Sequence, residues 1–243
     1  MKIDLRTIDT VVLSLPSDVT RRESAIALCE RLGLSYRVVD AIQCTPGRIG
    51  CGLSHLKVLR PWDASRPLLV LEDDVAASEF FSPIIEVPHN ADAVWLGTSI
   101  FGTVGIVNHT GFIHMHLVEE ADCGLVRVHN LASSHAILHL TDRWRRAAME
   151  GMLAAMVDRG WAPDSGLAMI QSDYNVYALP DPLFYQAAHL QPPGREGLEA
   201  WTRVRLSPTK PGTGSLIETR SGPRWVEMVR TARGLEWAWG EPR

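Results

Sequence analysis

Three consecutive acids, Glu72-Asp73-Asp74, close the apolar run Pro67-Leu68-Leu69-Val70-Leu71. An apolar run without alternation reads as a strand covered on both faces, so the acids fall at its carboxyl end. In open α/β sheets that edge is where ligands bind. Adjacent carboxylates repel unless a cation or donors stand among them, and a hard divalent ion shared with the oxygens of a diphosphate would satisfy them. An acidic loop after an ordinary strand is the bland alternative. A second stretch with chemical content is Gly47-Arg48-Ile49-Gly50-Cys51-Gly52-Leu53-Ser54-His55, which matches neither GxGxxG nor GxxxxGK[ST]. Its glycines could present free amides to an anion at a helix start, with Ser54 and His55 in the first turns. His114 and His116 stand at strand spacing without a third ligand fixed by spacing, which favours an exposed strand face over a metal site.

The elements that must position these residues can be read around them. Thr10-Val11-Val12-Leu13-Ser14-Leu15 reads as the first strand. Thr20-Arg21-Arg22-Glu23 has the spacing of a capping box, and Ala25, Leu28, Cys29 and Leu32 continue at helical spacing to Gly33, a C-cap. Tyr36-Arg37-Val38-Val39-Asp40 then completes a strand–helix–strand unit. Leu53, Leu56 and Leu59 put an apolar face on a helix that Pro61 must end. Downstream, Ala93–Gly97 reads as a buried strand, and a strand through 111–117 hairpins across Glu119-Glu120-Ala121-Asp122 to 124–128. His135–His139 reads as a strand, followed by a helix capped at Thr141 and ending at Gly160. After Gln191 proline and glycine become frequent, as in irregular or lid-like structure, and Trp225–Arg230 with Trp237 and Trp239 could form an amphipathic helix.

Three stretches together resemble glycosyltransferase family 25. They are Leu15-Pro16-Ser17-Asp18-Val19-Thr20-Arg21-Arg22, Gly50-Cys51-Gly52-Leu53-Ser54-His55 and Leu69-Val70-Leu71-Glu72-Asp73-Asp74-Val75. Ser133-Ser134-His135-Ala136-Ile137 is similar to the family's Gly-Thr-His-Ala-Tyr segment, and the stretch from Tyr177 to Gln186 to its closing segment. Ser14, Ser133-Ser134 and Ile137 depart from the family pattern. The resemblance implies an α/β GT-A fold, Rossmann-like, with a mixed, mainly parallel central sheet flanked by helices. It further implies a UDP-sugar donor, Mn2+ or Mg2+, and transfer to a hydroxyl with inversion. In that frame Asp74 and Asp73 are the metal ligands, and Glu72 and Asp73 help hold the cofactor. Arg21 and Arg22 offer guanidinium donors to the phosphates, while Ser54 and His55 line the donor pocket. Inversion needs a base beside the acceptor hydroxyl, and Asp164, then Asp173, are the residues expected to supply it.

Composition narrows the remaining classes. The chain has 243 residues, 46% hydrophobic and 21% charged, with a formal net charge of −4, so no global basic field recruits nucleic acid or an anionic membrane. The last forty-nine residues are mildly basic, with nine Lys and Arg against six Asp and Glu. No stretch approaches the roughly 20 apolar residues of a membrane span, and a cytoplasmic location is expected. Cys29, Cys44, Cys51 and Cys123 form no CxxC pair and read as reduced core thiols rather than disulfides or zinc ligands. Residues 1–190 are expected to form the transferase domain, with 191–243 an extension or lid of the same domain. A glycan such as lipooligosaccharide is the expected acceptor, ahead of a natural product or a hydroxymethylated DNA base; a non-catalytic sugar-nucleotide binder is the contrasting class. A haloacid dehalogenase-type phosphatase is set aside, because Glu72-x-Asp74-x-Ala76 lacks its nucleophile and hydroxyl.

Overall fold

The computed structural model describes residues 1–102, 117–195 and 197–209 in full, and 107–108, 111–112, 214–219, 222–231 and 234–240 as strand backbone. The paired His114 and His116 lie outside the described residues. The chain opens with β1 (Lys2–Asp4), β2 (Asp9–Ser14), α1 (Val19–Leu32) and β3 (Tyr36–Asp40). It continues through α2 (Gly47–Leu59), β4 (Leu68–Glu72), β5 (Val75–Ala77), β6 (Ile84–Glu86) and β7 (Ala93–Trp95). Two-residue strands β8 (Val107–Asn108) and β9 (Gly111–Phe112) precede the hairpin β10 (Val118–Glu120) and β11 (Val126–Val128). Then come β12 (Ala136–His139), α3 (Asp142–Asp158), α4 (Pro163–Ile170), β13 (Val176–Ala178), β14 (Phe184–Gln186) and α5 (Leu198–Thr202).

A mixed sheet of eight strands in the order β10-β11-β13-β7-β12-β4-β2-β3 forms the centre. Its pairings leave six strands pointing one way, with β11 and β12 opposed. Period-2 alternation along the central strands feeds two cores, one on each face. Val11, Leu13, Leu68, Val70, Trp95 and Ile137 join Trp144, Met152 and Leu167 of α3 and α4 on one side. On the other, Val12, Leu69, Leu71, Val94 and Leu138 meet Ala25, Leu28 and Cys29 of α1. Continuing that alternation by one step sends Glu72 to the α2–α4 face and Asp73 to the α1 face. The chain passes from β2 to β3 on one side of the sheet and returns to β4 on the other, so a topological switch point lies between the carboxyl ends of β2 and β4.

Several local expectations shift. The N-cap of α1 is Asp18, whose side chain accepts from the Arg21 amide, and not Thr20; the helix begins two residues earlier than the box implies. Gly33 does cap its end at φ 68°. Of the α2 glycines, Gly47 opens the helix, whose start has no side-chain cap, while Gly50 and Gly52 lie inside it and are buried. The inner two allow close packing: a Cβ on Gly50 would stand 2.2 Å from the Ile42 carbonyl oxygen. Consequently Ser54 and His55 sit deep in the helix, both buried, rather than in its first turns. Thr141 caps α3 as its position suggests, accepting from the Trp144 amide at 3.3 Å.

The extension after Gln191 carries α5 and a three-stranded antiparallel meander of β15 (Gly214–Thr219), β16 (Gly222–Thr231) and β17 (Gly234–Gly240). An amphipathic helix over Trp225–Arg230 is therefore overturned. Glycines bound each segment, and Leu235, Trp237 and Trp239 repeat with period two, a pattern that suits a strand rather than a helix. At the amino edge of the sheet, buried Asp92 accepts from Thr141 Oγ1 at 2.7 Å, Arg143 Nε at 2.7 Å and the Asn175 amide at 2.9 Å, tying α3 to β13.

Candidate functional site

A cavity of about 890 Å³ opens at the carboxyl ends of β2 and β4, and Arg21, Ser54, His55, Glu72, Asp73, Asp74 and Asp164 all line it. The three adjacent acids do not act as one group. Glu72 turns toward α2, where its Oε1 accepts from Ser134 Oγ at 2.6 Å and lies 3.2 Å from His55 Nε2. Burial by itself would raise the Glu72 carboxyl; the His55 hydrogen bond and charge and the Ser134 hydroxyl overturn this and hold it down to about 2. Ser134 reaches it because β12 runs antiparallel to β4, so the start of β12 meets the end of β4, with the Glu72 amide donating to the His135 carbonyl at 2.9 Å.

Asp73 and Asp74 form the other half. Arg21 of α1 lies 3.4 Å from Asp73 Oδ1 and 3.7 Å from Asp74 Oδ2. Burial, with the Asp74 charge adding to it, pushes the Asp73 carboxyl up to about 6 against the pull of Ser14 and Arg21. Asp74 is 4% exposed. Its Oδ2 accepts from Gln186 Nε2 and Gln191 Nε2, each at 3.0 Å, while its backbone carbonyl accepts from the Ala187 amide. Its Oδ1 is buried without a hydrogen-bond partner among the described residues. Burial and the Glu72 charge raise this carboxyl as well. An orphaned carboxylate oxygen beside a second carboxylate is a donor set for a hard divalent cation, so the residues present fit one here.

Asp164 lines the same cavity from the first turn of α4, where Pro163 begins the helix and the Ser165 amide donates to Asp164 Oδ1 at 2.9 Å. Burial, reinforced by the Glu72 charge, pushes it up to about 6. Asp173 is elsewhere. It is exposed on a turn two residues before Asn175, at the opposite edge of the sheet, and does not line the cavity, so the structure does not bring it to the site. Arg22 is likewise turned away, donating to the Ser14 carbonyl at 3.1 Å and to Asp40 at 2.5 Å, where it ties α1 to the end of β3. One of the paired arginines thus serves the cavity and the other the frame. Ser54 lines the cavity but is satisfied within the frame, donating to the Gly50 carbonyl at 2.6 Å and accepting from the Ile42 amide at 2.7 Å.

Other lining residues were not singled out by type. Arg48 and Arg195 are exposed cations on the wall. Gln191 and the Leu190 carbonyl, which accepts from Arg21 Nε at 2.7 Å, close the corner over Asp74. Gln186 had a signal in the resemblance; Gln191 had none, since a glutamine in a proline-rich stretch gives no period or spacing to read. His135 packs against Gly97 and bonds Ser133 Oγ at 2.9 Å; burial lowers its pKa against the pull of the Glu72 and Asp74 charges. Among the thiols only Cys29 is buried. Cys44 and Cys51 are half-buried on the cavity wall and Cys123 is exposed, so the expectation of four core thiols holds for one; none forms a disulfide.

No protein-family model matches the chain, and no curated protein does. Among solved structures it is similar to a nucleoside-diphosphate-sugar pyrophosphorylase from Vibrio cholerae RC9, at 15% identity and a TM-score of 0.37, over 72% of this chain and 73% of that one. No helix among the described residues is long and apolar enough to cross a membrane.

Proposed function

We propose that the chain is a metal-dependent glycosyltransferase that moves a sugar from a nucleoside diphosphate, UDP foremost, to an acceptor hydroxyl with inversion. The observation that carries this reading is the buried, unpartnered Oδ1 of Asp74 beside Asp73 at the switch point of the sheet. Asp74 and Asp73 would hold Mn2+ or Mg2+, which when bound supplies Lewis-acid stabilisation of the departing nucleoside diphosphate. Arg21, already against both carboxylates, keeps two buried acids tolerable before the donor arrives and offers its fork to phosphate oxygens afterwards. Arg48 and Arg195 on the wall add charge for a pyrophosphate. Asp164 takes the proton of the acceptor hydroxyl as that oxygen bonds to the anomeric carbon from the face opposite the leaving group. A glycan such as lipooligosaccharide is the acceptor class that the sequence resemblance favours.

A panel of UDP-sugars incubated with the protein and Mn2+, with UDP release followed, tests the assignment. Release that needs Mn2+ and vanishes in Asp74→Ala is the expected result. Mn2+-dependent UDP binding with no release from any donor would instead make the chain a sugar-nucleotide binder. Release indifferent to Asp74→Ala sinks the metal corner.

A further inference from the structure

We propose that Cys51, His55 and Glu72 form a second, zinc-type metal site in the cavity wall, separate from the hard-cation corner at Asp74. The inference does not rest on the transferase reading. Cys51 and His55 are four residues apart on α2, so both side chains project from one helix face, and the alternation of β4 brings Glu72 to meet them. Their donor atoms all lie within 4.8 Å of one another. Tetrahedral zinc with bonds of about 2.0–2.3 Å separates its ligand atoms by about 3.3–3.8 Å. His55 Nε2 to Glu72 Oε1 is 3.2 Å and Cys51 Sγ to the same oxygen 3.7 Å, so two edges of that tetrahedron already stand. The third edge is no longer than 4.8 Å, so closing it takes at most about 1–1.5 Å.

The donor chemistry separates this trio from its neighbours. A thiolate and an imidazole suit zinc, whereas Asp73 and Asp74 offer only oxygens and suit Mn2+ or Mg2+. Ser134 donates to Glu72 Oε1 at 2.6 Å, the outer-sphere hydrogen bond that orients a ligating carboxylate. The helix that carries two of the three donors is locked, since the Gly50 backbone sits against the Ile42 carbonyl and Ser54 bridges the same loop. All three residues line the cavity, so three protein ligands leave a fourth position facing it, the arrangement of a zinc site that takes a water or a ligand oxygen.

Cobalt reports on such a site directly. Full-length protein stripped with a chelator is titrated with Co2+ and its absorbance recorded. One equivalent should produce a thiolate-to-cobalt charge-transfer band and the intense visible bands of a four-coordinate ion, and Zn2+ should bleach both. Cys51→Ser should remove the charge-transfer band and weaken Zn2+ binding by more than the about 10–100-fold that loss of an outer-sphere partner costs. Asp74→Asn should keep the band, which separates this site from the Mn2+ corner whatever becomes of the transferase assignment. Alkylation of the native protein, mapped by mass, supplies a variant-free check: Zn2+ should protect Cys51 and leave Cys123 reactive. A weak six-coordinate cobalt spectrum, a band that survives Cys51→Ser, or unchanged alkylation of Cys51 overturns the proposal.

Discussion

At the scale of single residues, the acids at 72–74 divide their labour because a strand alternates. Glu72 continues the face of Leu68 and Val70 and meets His55; Asp73 takes the opposite face and meets Arg21. The separation keeps a carboxylate held down to about 2 close to carboxyls pushed up to about 6. Acids driven apart in this way are candidate acid–base groups, and the proposed function gives the base's role to Asp164 at the start of α4. A base works ionised, and Asp164 loses its proton only as pH rises through about 6. With saturating Mn2+ holding Asp73 ionised, kcat/KM should therefore fall about tenfold per pH unit below about pH 6 and level off above it. Asp164→Asn should lower kcat by about 10²–10⁴-fold and abolish that acid limb. A wild-type profile flat from pH 5 to 7 would remove Asp164 from the role.

The elements explain why those residues hold still. The helices α3 and α4 cross where two glycines meet: a Cβ on Gly166 would stand 2.2 Å from the Gly151 carbonyl oxygen, an atom of the backbone that cannot swing aside. Gly166→Ala must push the helices apart, at a cost of about 1–3 kcal/mol for overpacking. In a chain of this size that is a fall in Tm of about 2–12 °C. Because Asp164 lies two residues before Gly166 on α4, the same displacement should cut turnover, and errors of about 1 Å can cost about 10²-fold. Thr141→Ala provides the comparison. It removes the α3 cap for about 1 kcal/mol, and the hydroxyl's hydrogen bond to buried Asp92 for about 1–3 kcal/mol more, at the far end of the helix and away from the cavity, so thermal melts should shift while kcat per folded molecule does not. Equal losses of turnover in the two variants would show that Gly166 acts through stability alone.

For the molecule as a whole, the cavity joins segments distant along the chain: the end of β2, the acids after β4, the start of β12, the first turn of α4 and residues 186–191. A ligand that spans them binds only the native state and stabilises it by about 2.7 kcal/mol at one hundred times its dissociation constant. Calorimetry or dye-monitored melting should accordingly show UDP and Mn2+ together raising Tm by about 5–11 °C. UDP alone should do far less, and Asp74→Ala should lose the difference. Equal shifts with and without metal would place the nucleotide away from the acids.

Much of this was legible before any coordinates. An unbroken apolar run ending in acids announced a central strand with the acids at its carboxyl end, because burial on both faces demands continuous hydrophobicity. Thr141 and Gly33 marked helix ends through hydrogen-bond needs that are local to the chain. What required the tertiary structure was every decision made by partners far apart in sequence. Arg21 and Arg22 are neighbours of one type, yet one meets Asp73 and the other Asp40, since successive residues of a helix face different ways. Asp164 and Asp173 are both acids near a short helix, but that helix spans the sheet and delivers them to opposite edges. The meeting of Cys51, His55 and Glu72 depends on which face of β4 packs under α2, and no spacing along the chain encodes that.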